Sequence, residues 1–573
     1  MKKLTFADIL IFTMLIMLAF AYPVTWMVFA GKSRFWGDLQ LFDLNVFTLF
    51  FAAAAMLLPG RINKALGGES LAEKLPLLLA LLLPLMVAIQ GILYGFRWDA
   101  VLRGCFIPAA FCAGYALNTE AKKILPPALG FGGIMLLIFS IVTDHCYGFV
   151  GNWNWNYTIT VLAIIPLVHF FVRGKFFIPA ATAAILLFIG LMMIPFPETF
   201  PRGTLLSLVL AGAVLPLASV IPEKRSTLIW SALITAGLVA FTVLAVSLIH
   251  FNDYRIQLWS GTLDLISDYP WAGCGSWYFE DLIAEKLPEL YHFCRFRAER
   301  HTHPHNELYF MMTGYGTAGV IFLISAVSAA MKQVRQKDFN SRYLLFALLV
   351  LFFHGQLDVL LGEVHTGVIF YFLLGVLCGT PGEVSGSKTS CTGGVVLLIA
   401  AAVQSVMLVY STFHYRMAKL ELKTSPETAM KHLQISCEVK PSAQNLYLAG
   451  VASFNCGDSR KAAEYWQRLH RETGFTGYVH SNGLLARSLV LQGDFAGASE
   501  YFAREASRFP LSIINTSCHL AALQACNAPE SIIAQEKAKL QLLLKMRGLT
   551  PDCLPMILSD PGLDDTLPVR KVE

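Results

Sequence analysis

Apolar segments close to the length of a membrane-spanning helix follow one another from Met1 to about Tyr410. A helix needs about 20 residues to cross the hydrocarbon core of a bilayer, so this series constrains the fold more than any other feature. The sequence therefore predicts an all-α, polytopic membrane protein of about 13 transmembrane helices. The predicted spans are 6–30, 42–58, 76–95, 99–117, 124–144, 157–172, 176–195, 203–221, 227–250, 306–330, 343–361, 364–380 and 392–411.

The composition agrees with a membrane protein, because only 14% of the 573 residues are charged and 55% are hydrophobic. A soluble domain averages about 25% charged residues, since its surface must interact with water. These values exclude a purely cytosolic enzyme, a disordered chain and a nucleic-acid binder. The first apolar segment is long and is followed by many others, so we interpret it as an anchor and not as a cleaved signal peptide.

The basic residues predict the orientation of the chain in the membrane. With the N-terminus inside the cell, sixteen Lys and Arg residues fall in the inner turns. Five fall in the short outer turns, namely Lys32, Arg34, Arg97, Arg103 and Arg202. Because Lys and Arg are enriched in cytoplasmic turns, this distribution predicts a cytoplasmic N-terminus. An odd number of spans then places the C-terminus on the outer side.

Two segments interrupt the series of spans, and the orientation places both outside. One is the long loop 251–304, and the other is the tail 412–573, which has a soluble composition. We therefore predict a membrane domain over 1–411 and a soluble helical domain over 412–573.

The tail contains a weak internal repeat. Gly457-Asp458 recurs 36 residues later as Gly493-Asp494, each followed by an amphipathic stretch. A period near 34 residues is typical of tetratricopeptide helix pairs, and a generic helical-hairpin domain is the alternative. Either interpretation predicts a helical solenoid that holds a partner or braces the long loop.

Two arginines on the outer face are candidates for anion binding. Arg202 opens the eighth span, where free backbone N–H groups of the helix start can bind an anion together with the guanidinium. Arg255 follows the ninth span, four residues before Trp259. For each arginine alone, a side chain that reaches towards lipid head groups is the alternative interpretation.

Three histidines, His301, His303 and His305, precede the tenth span. A zinc site is one interpretation, but Pro304 interrupts the cluster and a single acidic residue is near, so we predict no metal. His305 stands with Asn306 at the helix start. There the imidazole can accept a proton from a hydroxyl or, when protonated, bind a phosphate, while Asn306 orients it.

Further polar groups lie on the same face of the membrane. His354 and Asp358 are one turn apart and share a helix face, so they form either a functional pair or a polar pair that packs the helix against its neighbours. Asn152, Asn154 and Asn156 alternate with tryptophans before the sixth span, a pattern that suits sugar contact or an interfacial belt. The convergence of these groups with the two arginines favours a functional site.

The chain also carries 12 cysteines. Cys274 and Cys294 share the long outer loop and can form a disulfide if that side is oxidising. No C-x-x-C pair is present, so the sequence indicates neither a zinc ribbon nor a redox motif.

Taken together, these residues resemble the superfamily of O-antigen ligases, O-antigen polymerases and protein O-oligosaccharyltransferases of the bacterial envelope. The resemblance extends from about Phe131 to Gly375. Its strongest element is His305-Asn306 followed by Gly316 and Gly319.

Other positions of the chain match the same family. Residues 268–275 match its "D-x-P-x-x-G-x-G" start of a large periplasmic loop. The pair Arg202-Gly203 matches an Arg-Gly pair that opens a span. Weaker positions are matched by Asn156, His354 and Asp358.

The resemblance implies an enzyme of the bacterial inner membrane that transfers a glycan from undecaprenyl diphosphate to an acceptor at the periplasmic face. It implies no metal and no other cofactor. Arg202 and Arg255 would hold the donor diphosphate, and His305 with Asn306 would lie at the reacting centre. Supporting positions would be His354, Asp358 and Asn156. The tail would be a periplasmic domain.

The acceptor is predicted to be lipid A core, as for an O-antigen ligase. A growing glycan or a protein is the alternative acceptor, and the soluble tail favours a protein partner. A polysaccharide transporter or flippase is a function of a different class. It requires charged residues or broken helices near the middle of the bilayer, and the middle of the predicted spans is almost free of charge.

Overall fold

In a computed structural model of the chain, the residues described are 71–94, 98–116, 125–127, 129–130, 153–193, 201–220, 229–237, 254–275, 279–286, 303–336, 338–357, 364–379, 388–473 and 480–559. These residues are helical apart from turns and short connections, and no β-strand occurs among them. They divide into two compact units. The first comprises the described residues within Met1–His250, Ile266–Trp277 and His303–Val403, and the second those within Phe251–Leu265, Tyr278–Thr302 and Gln404–Glu573.

The helices are numbered here in chain order. They are α1 (Leu71–Tyr94), α2 (Trp98–Tyr115), α3 (Trp153–Phe171), α4 (Phe177–Met193), α5 (Arg202–Val220), α6 (Tyr254–Asp268), α7 (Phe279–Lys286), α8 (Glu307–Ala330), α9 (Phe339–Gly355), α10 (Val364–Cys378), α11 (Lys388–Glu421), α12 (Pro426–Val439), α13 (Ala443–Asn455), α14 (Ser459–Thr473), α15 (Ser481–Leu491), α16 (Phe495–Arg508), α17 (Ile513–Ala525), α18 (Glu530–Met546) and α19 (Leu554–Ser559).

The all-α prediction is confirmed for the described residues, and the helices α1–α5 and α8–α11 coincide with predicted spans. Within the part of the chain that the structure describes, four stretches are long and apolar enough to cross a membrane, at 74–93, 174–191, 202–220 and 307–335. The predicted spans 6–30 and 42–58 lie outside the described residues, as does most of 124–144 and 227–250. A count of thirteen spans is therefore not confirmed.

The outward faces of α4 and α5 are apolar. Leu187 on α4 is 65% exposed, and Val209 and Leu217 on α5 are 67% and 63% exposed. Contiguous apolar faces of this kind are rare on soluble monomers, because they would remain in contact with water. Their exposure agrees with helices that face lipid.

The core of the first unit is formed mainly by α1, α2, α8, α9 and α10. Helices α2 and α10 approach closely through glycines. A β-carbon at Gly375 would overlap the carbonyl of Phe111, and one at Gly114 would overlap the carbonyl of Phe372. Small residues that let two backbones meet are typical of helix packing in membranes, where hydrophobic burial drives association only weakly.

Helix α8 is broken at Gly316, where φ is 63° and ψ is −153°. Only glycine adopts this conformation readily. The segment 269–275, between α6 and α7, packs into the break. A β-carbon at Gly316 would overlap the Trp271 carbonyl, and one at Gly273 would lie 2.7 Å from the Gly316 nitrogen. Both positions therefore require glycine, because two stretches of backbone meet there.

Backbone groups released by the break find partners in segment 269–275. The Gly275 N–H donates to the Thr313 carbonyl at 2.9 Å, and the Thr317 N–H donates to the Pro270 carbonyl at 3.1 Å. The Thr317 hydroxyl also donates to Pro270, at 2.8 Å. The segment thus restores hydrogen bonds that a continuous helix would have made internally, as buried backbone requires.

Gln90 of α1 completes this arrangement. Its amide nitrogen lies 2.6 Å from the Ala272 carbonyl and 2.7 Å from the Gly314 carbonyl. The side chain is 4% exposed. One buried amide therefore joins α1, the broken helix and the inserted segment.

In the second unit, the helices from α12 to α18 each pack on the next helix along the chain. The turns after α13, α15 and α17 contain Gly457, Gly493 and Asn527, all with positive φ. Asn527 therefore occupies a third equivalent turn, which the sequence repeat did not reveal because asparagine replaces glycine there. The assignment of this unit to tetratricopeptide repeats stays a prediction.

We expect Gly316→Ala to lower the stability of the folded protein by about 2 to 4 kcal/mol, because alanine is strained at this φ and its β-carbon overlaps Trp271. Thermal unfolding of the purified protein in detergent measures the change. Gly190→Ala is the matched control, since Gly190 lies within α4 and no atom is within 4 Å of its added β-carbon. A Gly316→Ala protein as stable as the control would contradict the close backbone contact.

Candidate functional site

Arg202 is the first residue of α5, and its side chain is exposed. The residues after it turn inward, so that Thr204 is fully buried. The first turn of any helix contains N–H groups without partners in the helix, and the helix dipole favours an anion there. The position therefore combines an exposed guanidinium with a helix start.

His354 lies in the last turn of α9 and is 1% exposed. Its Nδ1 lies 2.6 Å from the Thr158 hydroxyl of α3, which in turn lies 2.8 Å from the Thr204 hydroxyl of α5. A β-carbon at Gly203 would lie 3.0 Å from the Nε2 of His354. One imidazole thus connects the end of α9 with α3 and with the first turn of α5.

The predicted partner of His354 was Asp358, which lies outside the described residues. The partners that the structure gives His354 include Thr158, which sequence reasoning missed. Threonines are common in apolar spans, so the sequence contained no signal that distinguished Thr158 or Thr204. Asn156 lies in α3, two residues before Thr158, and its side chain is not among those described.

His305 immediately precedes the N-terminal cap of α8 and is half-buried. Its φ is 50°, in the left-handed region. For a residue with a side chain this conformation costs of order 1 to 3 kcal/mol, and it persists only where the surroundings enforce it. The His303 and His305 rings meet edge to face with centroids 4.4 Å apart. Among the described residues, which omit His301, no three side chains suited to bind a metal come together.

Asn306 is fully buried and makes two different hydrogen bonds. Its side-chain oxygen accepts from the Tyr309 N–H at 3.0 Å, which caps α8. Its amide nitrogen donates to the Gln356 carbonyl at 2.9 Å, directly after α9. Asn306 therefore ties the start of α8 to the end of α9, and this bonding holds in place the backbone that carries His305.

Glu307, the first residue of α8, is also fully buried. The hydroxyl of Tyr371 on α10 donates to its carboxylate and also lies 3.3 Å from the sulfur of Met311. The first turn of α8 is thus bonded to α9 through one residue and to α10 through the next.

These contacts bring two helix starts to the same helix end. The last turn of α9 contacts the start of α5 through His354, and the residue after α9 accepts the bond from Asn306 at the start of α8. Arg202 and His305, predicted from distant parts of the sequence, are therefore both anchored at the C-terminal end of α9. The sequence indicated a shared membrane face but not the helix that joins the two positions.

The structure does not bring the predicted residue Arg255 into these contacts. Arg255 lies in α6, within the second unit, and its side chain is not among those described.

Cys274 is buried as a free thiol, and its sulfur lies 3.5 Å from the Thr313 carbonyl. Its predicted disulfide partner, Cys294, lies outside the described residues.

No protein-family profile matches the sequence, and no curated protein is significantly similar to it. The resemblance to envelope glycosyltransferases therefore depends on the residues of this chain alone.

We expect Asn306→Ala to lower the stability by about 2 kcal/mol, because it removes both a helix cap and a buried hydrogen bond to Gln356. Asn306→Ser should lose about half as much, since serine caps the helix but is too short to reach Gln356. Thermal unfolding in detergent compares the two variants. Asp338→Ala is the matched reference, because Asp338 caps α9 at an exposed position. Equal losses for the serine and alanine variants would show that the cap bond contributes nothing.

Proposed function

We propose that this chain is an inner-membrane glycosyltransferase that moves a glycan from undecaprenyl diphosphate to an acceptor at the periplasmic face, with lipid A core as the acceptor. The observation that carries the proposal is the anchoring of Arg202 and His305 at one end of α9. An exposed cation and an accessible imidazole held at a common point are the two groups that such a transfer needs.

Arg202 would bind the donor diphosphate. The guanidinium donates several hydrogen bonds in a fixed plane and remains charged, so it neutralises the charge that develops on the leaving diphosphate. Its place at the start of α5 adds the favourable end of the helix dipole. The resemblance implies that Arg255 also holds the diphosphate. A diphosphate is already a good leaving group, so these arginines suffice without a metal.

His305 would act on the acceptor. As the hydroxyl oxygen of the acceptor bonds to the anomeric carbon, the bond from that carbon to the diphosphate oxygen breaks. The imidazole accepts the hydroxyl proton, and undecaprenyl diphosphate leaves as an anion. Asn306 contributes by holding the backbone of His305 in its left-handed conformation. Asn156 and Asp358 would support the glycan or the histidines of the site.

The acceptor distinguishes three subtypes. A growing glycan would make the chain an O-antigen polymerase, and a protein acceptor would make it a protein O-oligosaccharyltransferase. The second unit, with its consecutive packed helices, would be a periplasmic tetratricopeptide-like domain. Such a domain favours a protein partner or a protein acceptor.

A transporter or flippase is the function of a different class, and the broken helix α8 is the feature that would favour it. Broken helices in transporters leave backbone groups available to bind ions or substrate. In this chain the Thr313 and Gly314 carbonyls accept hydrogen bonds from Gly275 and Gln90. The break is therefore occupied by the chain itself, and the transferase proposal is preferred.

We expect Arg202→Ala and His305→Ala each to reduce glycan transfer at least about a hundredfold, because one loses charge stabilisation and the other a proton acceptor. Transfer is measured in membranes supplied with lipid-linked glycan, with membrane insertion checked by immunoblot. There are two controls. Arg173→Ala changes an exposed arginine just after α3, at the end of that helix away from Thr158. His303→Ala changes a histidine in the same loop as His305. Wild-type transfer by both site variants would refute the proposal.

A deletion strain identifies the acceptor. Accumulation of lipid-linked polymer indicates a ligase, and a single repeat unit on lipid A core indicates a polymerase. Unglycosylated envelope proteins with normal lipopolysaccharide indicate a protein transferase. An unchanged set of glycans would contradict all three.

We expect alkaline phosphatase fused after Ser559 to be active and the enzyme fused after Lys175 to be inactive. The enzyme folds only outside the cytoplasm, and the distribution of basic residues places these two positions on opposite sides. Fusions of green fluorescent protein at the same two positions should give the reverse result. Equal phosphatase activity at both positions would overturn the predicted topology.

A further inference from the structure

Glu307 and Tyr371 form a buried polar pair that the proposed reaction does not use. Both side chains are fully buried, and the Tyr371 hydroxyl donates to the Glu307 carboxylate. A buried carboxylate in largely apolar surroundings is costly unless it is hydrogen-bonded. Because Glu307 lies two residues after His305, we ask what this pair does for the site.

A direct role in the reaction is excluded by burial. Glu307 has no exposed surface, so its carboxylate cannot contact a hydroxyl of a glycan that lies in water. The carboxylate instead faces α10, where it accepts from Tyr371. Met311, one turn further along α8, lies on the same face and contacts the same hydroxyl.

The Glu307–Tyr371 pair restrains the first turn of α8, and His305 lies directly before that turn. His305 has a left-handed backbone, which persists only when neighbouring contacts hold it. Asn306 fixes the start of α8 to Gln356, the residue after α9. The bond from Glu307 to Tyr371 adds a second fixed point on a different helix. These two bonds to different parts of the fold restrain the backbone that carries His305.

We propose that Glu307 and Tyr371 are positioning residues that hold the imidazole of His305 for proton transfer, an inference that rests on the proposed function. The pair acts on the orientation of His305 and not on Arg202, whose helix is connected to α3 and α9 through a separate hydrogen-bond network. Loss of the pair should therefore slow the chemical step and leave donor binding unchanged.

Tyr371→Phe tests this inference, because it removes only the hydroxyl. We expect kcat to fall about tenfold to a hundredfold, as for a misplaced reacting group, while KM for the lipid-linked donor stays within about twofold. Glu307→Ala should lose a similar factor. Glu307→Gln should keep kcat within about threefold of wild type, because its amide oxygen can still accept from Tyr371.

The matched control is Tyr315→Phe. Tyr315 is also a buried tyrosine of α8, and its hydroxyl donates to the Gly104 carbonyl of α2 at 2.8 Å. A similar loss of thermal stability is expected for both phenylalanine variants, but kcat should fall only for Tyr371→Phe. In the double variant Glu307→Ala/Tyr371→Phe, kcat should match that of the single variants, since both substitutions remove the same bond.

The outcomes separate this inference from the proposed function. An active wild-type protein whose kcat is unchanged by Tyr371→Phe and Glu307→Ala overturns the positioning role alone. Equal falls in kcat for Tyr371→Phe and Tyr315→Phe also overturn it, because general destabilisation would then explain both. A wild-type protein without transfer to any of the three acceptors refutes the proposed function, and the positioning role with it.

Discussion

The need to satisfy buried polar groups in apolar surroundings determines the arrangement of the first unit. Water is absent from the interior of a membrane domain, so a hydrogen-bonding group left without a partner there costs several kcal/mol. The break in α8 at Gly316 creates such groups, and the segment 269–275 and Gln90 bond to them. This exchange joins α1, the broken helix and the segment between α6 and α7. The geometry of the glycine-rich motifs follows from it, since only glycine lets two backbones come this close.

The hydrogen bonding of buried polar groups also determines the geometry of the candidate site. His354, Asn306 and Glu307 are buried polar residues at helix ends, and each one bonds to a neighbouring helix. Their partners lie on α3, at the end of α9 and on α10. The result is that the starts of α5 and α8 are held by bonds with defined direction, in addition to apolar packing. Transfer between two bound reactants depends on such alignment, because small displacements of a reacting group slow the reaction.

The sequence predicted the helical class and the positions of many apolar helices, because these depend on length and apolar runs, which are local properties. The sequence could not predict contacts between distant segments. His354 was expected to pair with Asp358 four residues away, whereas its bond to Thr158 spans 196 residues. Gln90 and Tyr371 gave no signal either, since an isolated polar residue in an apolar span does not indicate its partner. The third turn of the tail, at Asn527, was missed because asparagine replaces the glycine of the repeat.

The two candidate reactive positions share one local pattern. Arg202 is exposed, and two residues later Thr204 is buried and bonded to α3. His305 is partly exposed, and the next two residues are buried and bonded to α9 and α10. In each case an exposed or partly exposed residue lies at the start of a helix whose first turn is bonded to neighbouring elements. Groups on rigid elements with buried support keep their geometry better than groups on free loops. The buried bonds behind Arg202 and His305 therefore fix the position of both residues relative to the end of α9.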